Sequence, residues 1–249
     1  MVIAVVSQKG GTGKTTTTIN LGRALVLNKK KVLLVDLDPQ GNLSYSLGIP
    51  EEINGLTELI IENVNLNDVL IKREGMDVLP SNLSLADIEL SLHSIEEREY
   101  VLKEVIAGFK DRYDYVLIDC PPSLSLLTVN ALTASDKVVV PILLDVLSLQ
   151  GLRQILGTIK KVKAVFNVKI ELLGVLATIV DERKRLSREI MEFIDNNFHV
   201  YVFNNFIRTN VKAAEAPSFG LSIIEYAPKS NSAIDYCNLA KEIIAINKK

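Results

Sequence analysis

A glycine-rich segment between a short apolar run and a helical pattern constrains this chain more than any other feature. The apolar run is Val2–Val6, the glycine-rich segment is Lys9–Thr16 with the sequence KGGTGKTT, and the helical pattern follows as Lys14–Leu27. Glycines let successive backbone N–H groups turn toward an anion, because no side chain blocks the approach and positive φ angles are tolerated. The positive end of the following helix dipole adds to this attraction. The arrangement predicts a phosphate-binding loop.

Short β-branched runs alternate with helical patterns along the chain, which predicts an α/β fold with a mostly parallel, twisted sheet and helices on both faces. The predicted strands are Val2–Val6, Val32–Asp36, Asp77–Leu79, Tyr115–Asp119, Lys137–Pro141 and Leu172–Val180. The predicted helices are Lys14–Leu27, Glu96–Phe109, Ser125–Thr133, Leu149–Phe166, Leu186–Asn197 and Ala233–Ile246. Residues 49–82 have the weakest periodicity and are expected to form peripheral helices and loops. Because no repeat or Gly/Ser linker divides residues 1–249, we expect a single domain.

Two of the predicted strands end in carboxylates. Val32–Asp36 continues into the sequence LDPQGN, which contains Asp38, and Tyr115–Asp119 continues into CPP. Ligands of open α/β sheets bind beyond the carboxyl ends of the strands, so we expect these acids near the phosphate loop. Four apolar residues that end in an acid form the Walker B pattern. Asp119 is therefore expected beside Mg²⁺, through a bound water, since this ion usually keeps several waters.

The glycine-rich segment departs from the ordinary phosphate loop, which has glycine where this chain has Gln8, and it carries a second lysine, Lys9. This K-G-G-x-G-K-T-T arrangement resembles the deviant Walker A box of the ParA/MinD ATPases. The D-x-D-P-Q-G-N and D-x-P-P segments resemble the two switch segments of the same family. The resemblance implies a P-loop NTPase fold, ATP and Mg²⁺ as cofactors, and a homodimer that encloses two ATP molecules. In such a dimer Lys9 would contact the nucleotide of the partner.

The resemblance also implies roles for individual residues. Lys9, Lys14 and Asp38 are expected to be catalytic, with Asp38 positioning the attacking water, and Thr15 and Asp119 are expected to bind the metal. For Asp36, a structural or metal-shell role is at least as good an explanation as a direct role in catalysis. The expected nucleotide-binding residues are Lys9, Gly10, Gly11, Thr12, Gly13, Lys14, Thr15, Thr16 and Asn210.

Asn210 comes from a segment, residues 204–220, that resembles the closing region of small, Soj-like ParA proteins. Its amide is expected at the adenine, where it could both donate and accept a hydrogen bond. The Pro-Arg pair of the family is here Arg208-Thr209. We therefore carry over no base contact other than that of Asn210.

A basic segment, residues 183–188, holds four cations in six positions: Arg183, Lys184, Arg185 and Arg188. In a helix, residues three or four apart share a face, which would group Lys184 and Arg185 with Arg188. A solvated surface is the alternative, since Asp181, Glu182 and Glu189 lie close in sequence. Resemblance to Soj-like proteins implies nonspecific DNA binding by these four cations, with Lys212 and Lys229 as weaker candidates. The net charge of −2 excludes a uniformly basic nucleic-acid-binding protein.

The function that these features predict is a Mg²⁺-dependent ATPase that partitions a chromosome or plasmid, with a ParB-like partner that stimulates hydrolysis. Positioning of a protein cargo, such as a microcompartment or chemosensory cluster, is an alternative that uses the same chemistry. A MinD-like membrane cycle is a less favoured one, because the last predicted helix lacks the cation-rich face expected at anionic lipid. We expect no membrane partner. Two distant cysteines, Cys120 and Cys237, fit a reducing cytoplasm, where the protein would associate with the nucleoid.

Overall fold

The β-strands join into one mixed sheet in the computed structural model, which describes residues 1–62, 64–92 and 94–247. The strands are β1 (Val2–Val5), β2 (Val32–Asp36), β3 (Ile71–Arg73), β4 (Met76–Leu79), β5 (Tyr115–Asp119), β6 (Lys137–Leu143) and β7 (Glu171–Thr178). Their order across the sheet is β3-β4-β2-β5-β1-β6-β7. All neighbours are parallel except the β3–β4 hairpin. The predicted α/β fold with a mostly parallel sheet is confirmed.

Helices pack on both faces of this sheet. They are α1 (Lys14–Leu27), α2 (Asn42–Ser46), α3 (Leu56–Ile61), α4 (Leu66–Val69), α5 (Ser84–Leu92), α6 (Val101–Ala107), α7 (Leu126–Ala134), α8 (Val146–Val165), α9 (Arg185–Phe198), α10 (Val211–Glu215), α11 (Ile223–Tyr226) and α12 (Asn231–Ile246). Successive strand residues point to opposite faces, so Ala4 belongs to the core cluster that holds residues of α3 to α9, while Ile3 belongs to the cluster that holds residues of α1, α2, α11 and α12. Both sets are buried, which explains why the strands read as continuous apolar runs.

The connections place the glycine-rich loop at the switch point of the sheet. The chain leaves β1 toward β2 on one side, whereas it leaves the neighbouring β6 toward β7 on the other. Ligands of open α/β sheets bind in the crevice that such a reversal creates. The register also brings the acidic strand ends together, because Asp119 pairs with both Val5 and Asp36.

Local geometry explains where the elements differ from the predicted bounds. Helix α6 begins at Val101 instead of Glu96, since Glu97 has a φ of 55°, which a helix excludes. Helix α8 begins three residues earlier than predicted, because the Asp145 carboxylate accepts the Ser148 N–H at 2.8 Å and caps the helix. Within residues 49–82 the structure adds the edge strand β3, which the sequence analysis missed. Among the described residues, no helix has both the length and the hydropathy needed to cross a bilayer.

Candidate active site

The loop between β1 and α1 turns sharply at two glycines. Gly11 and Gly13 have φ angles of 72° and 78°, which L side chains rarely adopt. A Cβ atom added at Gly10 or Gly11 would meet no atom within 4 Å, so the loop borders open space. Gly13 precedes α1 and offers no side-chain cap. The first N–H groups of α1 therefore have no side-chain acceptor and can bind an anion.

Lys14 is the buried cation of this loop. It is only 7% exposed, and its Nζ lies 3.4 Å from the carbonyl oxygen of Lys9. Burial lowers the pKa of Lys14 from its usual value, and the nearby Asp119 and Asp38 carboxylates oppose that shift. Within the described residues, the Lys14 ammonium group has one hydrogen bond and no ion pair. A bound phosphate group would give it a directly bonded negative partner.

Asp119 lies at the end of β5, directly behind Thr15. The Thr15 Oγ1 donates to Asp119 Oδ2 at 2.7 Å, and Asp119 is fully buried. Burial raises the pKa of Asp119 to about 8, and the neighbouring Asp36 adds to the rise. Hydroxyl and carboxylate oxygens are the ligands that Mg²⁺ prefers, and the ion commonly takes one or two protein ligands beside waters and phosphate oxygens. The side chains of Thr15 and Asp119 fit such a site.

Asp36 and Asp38 occupy different environments although they are two residues apart. Asp36 Oδ2 accepts hydrogen bonds from Ser44, at 2.9 Å from the N–H and 2.8 Å from the hydroxyl group, and burial raises its pKa to about 7. Asp38 Oδ1 accepts the Gln40 N–H at 3.0 Å, while its Oδ2 has no hydrogen bond within the described residues. Asp36 thus fixes the backbone after β2, and Asp38 presents a free carboxylate oxygen.

Lys9 lies at the start of the loop and points to a neighbour in its own chain. Its Nζ forms an ion pair of 2.7 Å with Asp145 Oδ2, and the two side chains are 36% and 38% exposed. The other oxygen of Asp145 caps α8. Sequence analysis missed Asp145, although an aspartate between a strand and a helical pattern is a recognisable helix start.

A cavity of about 380 Å³ adjoins the loop, and Asn210 lies in its wall together with Gly13, Thr16 and Tyr236. Asn210 Oδ1 accepts the Lys212 N–H at 2.9 Å and caps α10. The Asn210 carbonyl oxygen keeps a second lone pair, so the amide can still both donate and accept a hydrogen bond at a ligand.

Thr178 is a second residue that sequence analysis missed. Its Oγ1, at the end of β7, lies 2.8 Å from the carbonyl oxygen of Thr12 and 3.0 Å from that of Ile142. The hydroxyl group thereby holds the glycine-rich loop against the ends of β6 and β7. No pattern around Thr178 distinguishes it from an ordinary strand threonine.

Comparison with known proteins identifies the family. A family model described as "AAA domain" matches residues 1–172. The sporulation initiation inhibitor protein Soj of Bacillus subtilis is 42% identical over 248 residues, which covers 98% of each chain. The chain belongs to the ParA/MinD family. The chromosome partitioning protein ParA of Caulobacter vibrioides is 40% identical over 250 residues, which covers 98% of this chain and 94% of that one.

Among solved structures, a cobyrinic acid a,c-diamide synthase from Mycobacterium smegmatis with bound ADP and magnesium has a TM-score of 0.89 and 36% identity. The match covers 100% of this chain and 95% of that one. The resemblance to the ParA/MinD ATPases, drawn from the loop and the two acidic strand ends, is thus confirmed.

Arg208 lies in the wall of the same cavity as Asn210. Its guanidinium group binds the Asp235 carboxylate, with Nη2 at 2.6 Å from Oδ1, and its backbone N–H donates to Oδ2 at 3.0 Å. The pair joins the segment before Asn210 to α12 beside the cavity. Arg208 therefore shapes the wall of the cavity without itself offering a free cation to a ligand.

The basic segment, in contrast, is exposed and partly neutralised by its own acids. Arg183 pairs with Asp181 at 2.9 Å, and Arg185 pairs with Glu189 at 2.8 Å. Lys184 and Arg188 are exposed and form no ion pair with a described residue. Helix α9 begins at Arg185, so Lys184 lies before the helix with extended backbone. Only Arg185 and Arg188 share the expected helix face.

The two weaker DNA-binding candidates lie elsewhere. Lys212 pairs with Glu215 at 3.0 Å on α10, and Lys229 is exposed just before α12.

Proposed function

We propose that this chain is a Mg²⁺-dependent ATPase that dimerises around ATP, binds DNA without sequence specificity and segregates a chromosome or plasmid through a ParB-like partner. The observation that carries the proposal is the convergence of Lys14, Thr15 and Asp119 behind an open glycine loop, with Asp38 beside them. The ADP and magnesium in the M. smegmatis structure support the choice of cofactors. The chromosome-partitioning proteins among the relatives support the partitioning role. We place that role in the cytoplasm, on the nucleoid.

The proposed hydrolysis needs little covalent chemistry from the protein, because phosphoryl transfer depends mainly on positioning and neutralised charge. Lys14 and the N–H groups of residues 10–16 bind the phosphates. Thr15 and Asp119 hold Mg²⁺, which neutralises phosphate charge when it is bound. The free Oδ2 of Asp38 orients the attacking water. Asn210 donates its amide hydrogens to the base in the adjoining cavity.

Lys9 is the residue that connects hydrolysis to dimerisation in this proposal. It is half-exposed at the edge of the loop, and the ion pair with Asp145 is a weak restraint, since exposed pairs contribute about 0–1 kcal/mol. A partner's phosphates would offer Lys9 a larger negative charge than one carboxylate does. ATP would therefore favour the dimer, and hydrolysis would release it.

The DNA-binding step would use Arg183, Lys184, Arg185 and Arg188. A dimer doubles the number of these cations, and DNA affinity rises steeply with the number of phosphates contacted. Nucleotide state would thus control DNA binding through dimerisation. A ParB-like partner at the cargo would stimulate hydrolysis and release the protein from DNA.

Positioning of a protein cargo remains compatible with the same residues, since only the partner differs. The name of the M. smegmatis structure describes an amide synthase, which is a different use of a bound nucleotide. An assay of ATP hydrolysis distinguishes the two classes of protein. DNA and a partner protein should stimulate a partitioning ATPase, whereas an amide synthase should need its carboxylic acid and an amine donor.

The decisive experiment measures mass and DNA binding of the Asp38→Ala variant with ADP, with ATP and with a nonhydrolysable analogue. Light scattering should give twice the 27.5 kDa of one chain with either triphosphate and a single chain with ADP. DNA binding at fixed salt should follow the dimer. Single chains in all three nucleotides over a wide concentration range would refute the proposal.

The Lys9→Ala variant tests the link between the two activities. Its ATP affinity should stay within about threefold of the wild type, because Lys14 and the loop provide the phosphate contacts within one chain, whereas dimerisation and turnover should fall by at least about 10-fold. The matched control is Lys241→Ala, which removes an exposed lysine from α12. Normal dimerisation of the Lys9 variant would show that the lysine does not reach the partner.

A further inference from the structure

A cavity of about 540 Å³ lies at the carboxyl ends of β2 and β4, on the side of the active site that carries Asp38. Its wall residues come from three segments, which are residues 39–45 after β2, residues 49–58, and residues 81–84 after β4. The basic segment at residues 183–188 follows β7 instead. Because β2 and β4 lie on one side of β1 and β7 lies on the other, the cavity and the basic segment are toward opposite ends of the sheet.

Large apolar side chains are exposed around this cavity. Tyr45 and Leu83 line it and are 62% and 67% exposed. Leu90, on α5, is exposed as well and lies seven residues beyond Leu83. Residues seven apart lie on one side of a helix, so the exposed apolar surface continues from the cavity along α5. We call the surface formed by Tyr45, Leu83 and Leu90, with Glu51 and Glu52 of the cavity wall, the α2–α5 surface.

The charges around the α2–α5 surface are mostly negative. Glu51 and Glu52 are exposed and form no ion pair with a described residue. In the sequence, residues 32–97 contain thirteen Asp and Glu residues but only two Lys or Arg residues, Lys72 and Arg73. The whole chain has a net charge of −2, so the remainder of the chain is positive. An acidic region of this kind attracts cationic groups and repels anionic ones.

The cavity wall is bonded to both carboxylates that follow β2. In the wall, the Ser44 hydroxyl group donates to Asp36 Oδ2 at 2.8 Å, and its oxygen accepts the Ser81 N–H at 3.2 Å. The Gln40 N–H, from the same wall, donates to Asp38 Oδ1 at 3.0 Å. The cavity wall is therefore part of the structure that holds Asp38 in place.

We propose that the α2–α5 surface binds a segment of the stimulating partner protein that carries both basic and apolar side chains; the inference rests on the proposed function, which includes such a partner. Nucleic acid and acidic lipid are anionic, so Glu51 and Glu52 repel them. A second copy of the chain would bring the same surface to a symmetric contact and place like charges opposite each other. The partner's basic side chains instead pair with the two carboxylates, while its apolar side chains cover Tyr45, Leu83 and Leu90.

Binding at the α2–α5 surface connects the partner to hydrolysis. The segment that carries Tyr45 also carries the Gln40 N–H that holds Asp38, so a bound partner restrains the residues that orient the attacking water. The basic segment at residues 183–188, toward the other end of the sheet, stays accessible to DNA. The partner therefore stimulates turnover while the protein is bound to DNA.

The first experiment reverses charge, with Glu51→Lys and Glu52→Lys together, and measures ATP turnover against the concentration of the complete ParB-like protein from the same organism. The concentration for half-maximal stimulation should rise by at least about 10-fold, because two attractive contacts become repulsive. Turnover without the partner should not change. The matched control is Glu192→Lys with Asp195→Lys, which reverses two exposed charges on α9 and should respond to the partner like the wild type.

A neutral pair, Glu51→Gln with Glu52→Gln, separates charge from folding. It should shift the half-maximal concentration in the same direction by a smaller factor, because attraction is lost without added repulsion. Its melting temperature should match that of the wild type, since both side chains are exposed and form no ion pair with a described residue.

A second experiment detects contact instead of activity. The photoreactive substitution Leu83→p-benzoylphenylalanine should cross-link the chain to the ParB-like protein on illumination. The same substitution at Val168, an exposed apolar residue between α8 and β7, is the control and should give no cross-link to that protein.

The outcomes distinguish this surface from the proposed function. If the ParB-like protein stimulates the wild type and the Glu51→Lys, Glu52→Lys variant equally, the surface is not its binding site, while the proposed function stands. If it does not stimulate the wild type, both the partner of the proposed function and this surface are refuted. Cross-links from position 83 to DNA or to a second copy of the chain, without any to the ParB-like protein, would also overturn the inference.

Discussion

Two basic regions of this chain, the phosphate loop and the segment at residues 183–188, hold their cations in opposite ways. Lys14 is 7% exposed and lies among Asp119, Asp38 and the turn of the loop, whereas the Arg183 side chain is 89% exposed and forms an ion pair with its neighbour Asp181. Residues at the ends of several strands surround Lys14, whereas the partner of Arg183 lies only two residues away in the sequence. A buried, convergent site should respond strongly to a single substitution, and an exposed array of charges should respond weakly and additively.

The largest effect is expected from Lys14→Met, which removes the ammonium group and keeps much of the side-chain length. ATP affinity should fall by roughly 100-fold, since a hydrogen bond to a charged group contributes about 1.5–3 kcal/mol and Lys14 serves more than one phosphate oxygen. Calorimetric titration with ATP measures this, and the melting temperature shows whether the variant is folded. A folded variant with normal ATP affinity would remove the phosphate loop from the proposed site.

Asp38→Ala is expected to affect catalysis and not binding. The variant should bind ATP and dimerise, but phosphate release should slow by about 100-fold or more, the usual contribution of a group that handles the attacking water. Asp36→Asn is the matched comparison, because Asp36 is engaged by Ser44. That change should lower the melting temperature, while the folded fraction keeps turnover. Wild-type turnover in Asp38→Ala would exclude Asp38 as the residue that positions water.

Arg183→Glu should weaken DNA binding of the ATP form by about 10-fold at low salt and reduce the salt slope by about one or two units, because a phosphate contact is lost and a repulsive charge is added. ATP-dependent dimerisation should not change. The ion pair with Asp181 makes an internal control possible, since Asp181→Asn frees Arg183 and should tighten DNA binding. Unchanged affinity of Arg183→Glu at matched salt would mean that this segment is a solvated surface.

The smallest effect is expected from Thr178→Val, which removes the hydroxyl group that holds the loop at Thr12. One neutral hydrogen bond contributes about 1 kcal/mol, so ATP affinity should fall about fivefold. Thr178→Ser retains the hydroxyl group and should bind ATP almost normally. Equal affinities of the valine and serine variants would show that the loop keeps its shape without this contact.

The sequence was sufficient for the loop, for α1 and for the strands that end in acids, because these depend on local requirements. Glycine is needed where φ is positive, and β-branched residues are favoured where a strand is buried on both faces. The strands Val32–Asp36 and Tyr115–Asp119 and the helix Lys14–Leu27 have the predicted bounds. Their register then brings Asp36 and Asp119 together without any further information.

The parts that escaped prediction depend on contacts between distant segments. Asp145 meets Lys9 across 136 residues, and Thr178 meets Thr12 across 166, so both contacts follow from the order of the strands and not from a local pattern. The edge strand β3 has three residues, too few to display a period of two. The helix-cap role of Asn210 likewise depends on α10 beginning directly after this residue.

In each chain, Asp145 competes for Lys9 with the partner's nucleotide, which Lys9 would contact in the proposed dimer. The Lys9 ammonium group binds the group with more negative charge, and the ion pair with a single exposed carboxylate is weak. A terminal phosphate presented by another chain would therefore displace Asp145, and after loss of that phosphate Lys9 would bind Asp145 again. Asp145→Asn should remove this competing ion pair, so the dimer should persist longer after hydrolysis.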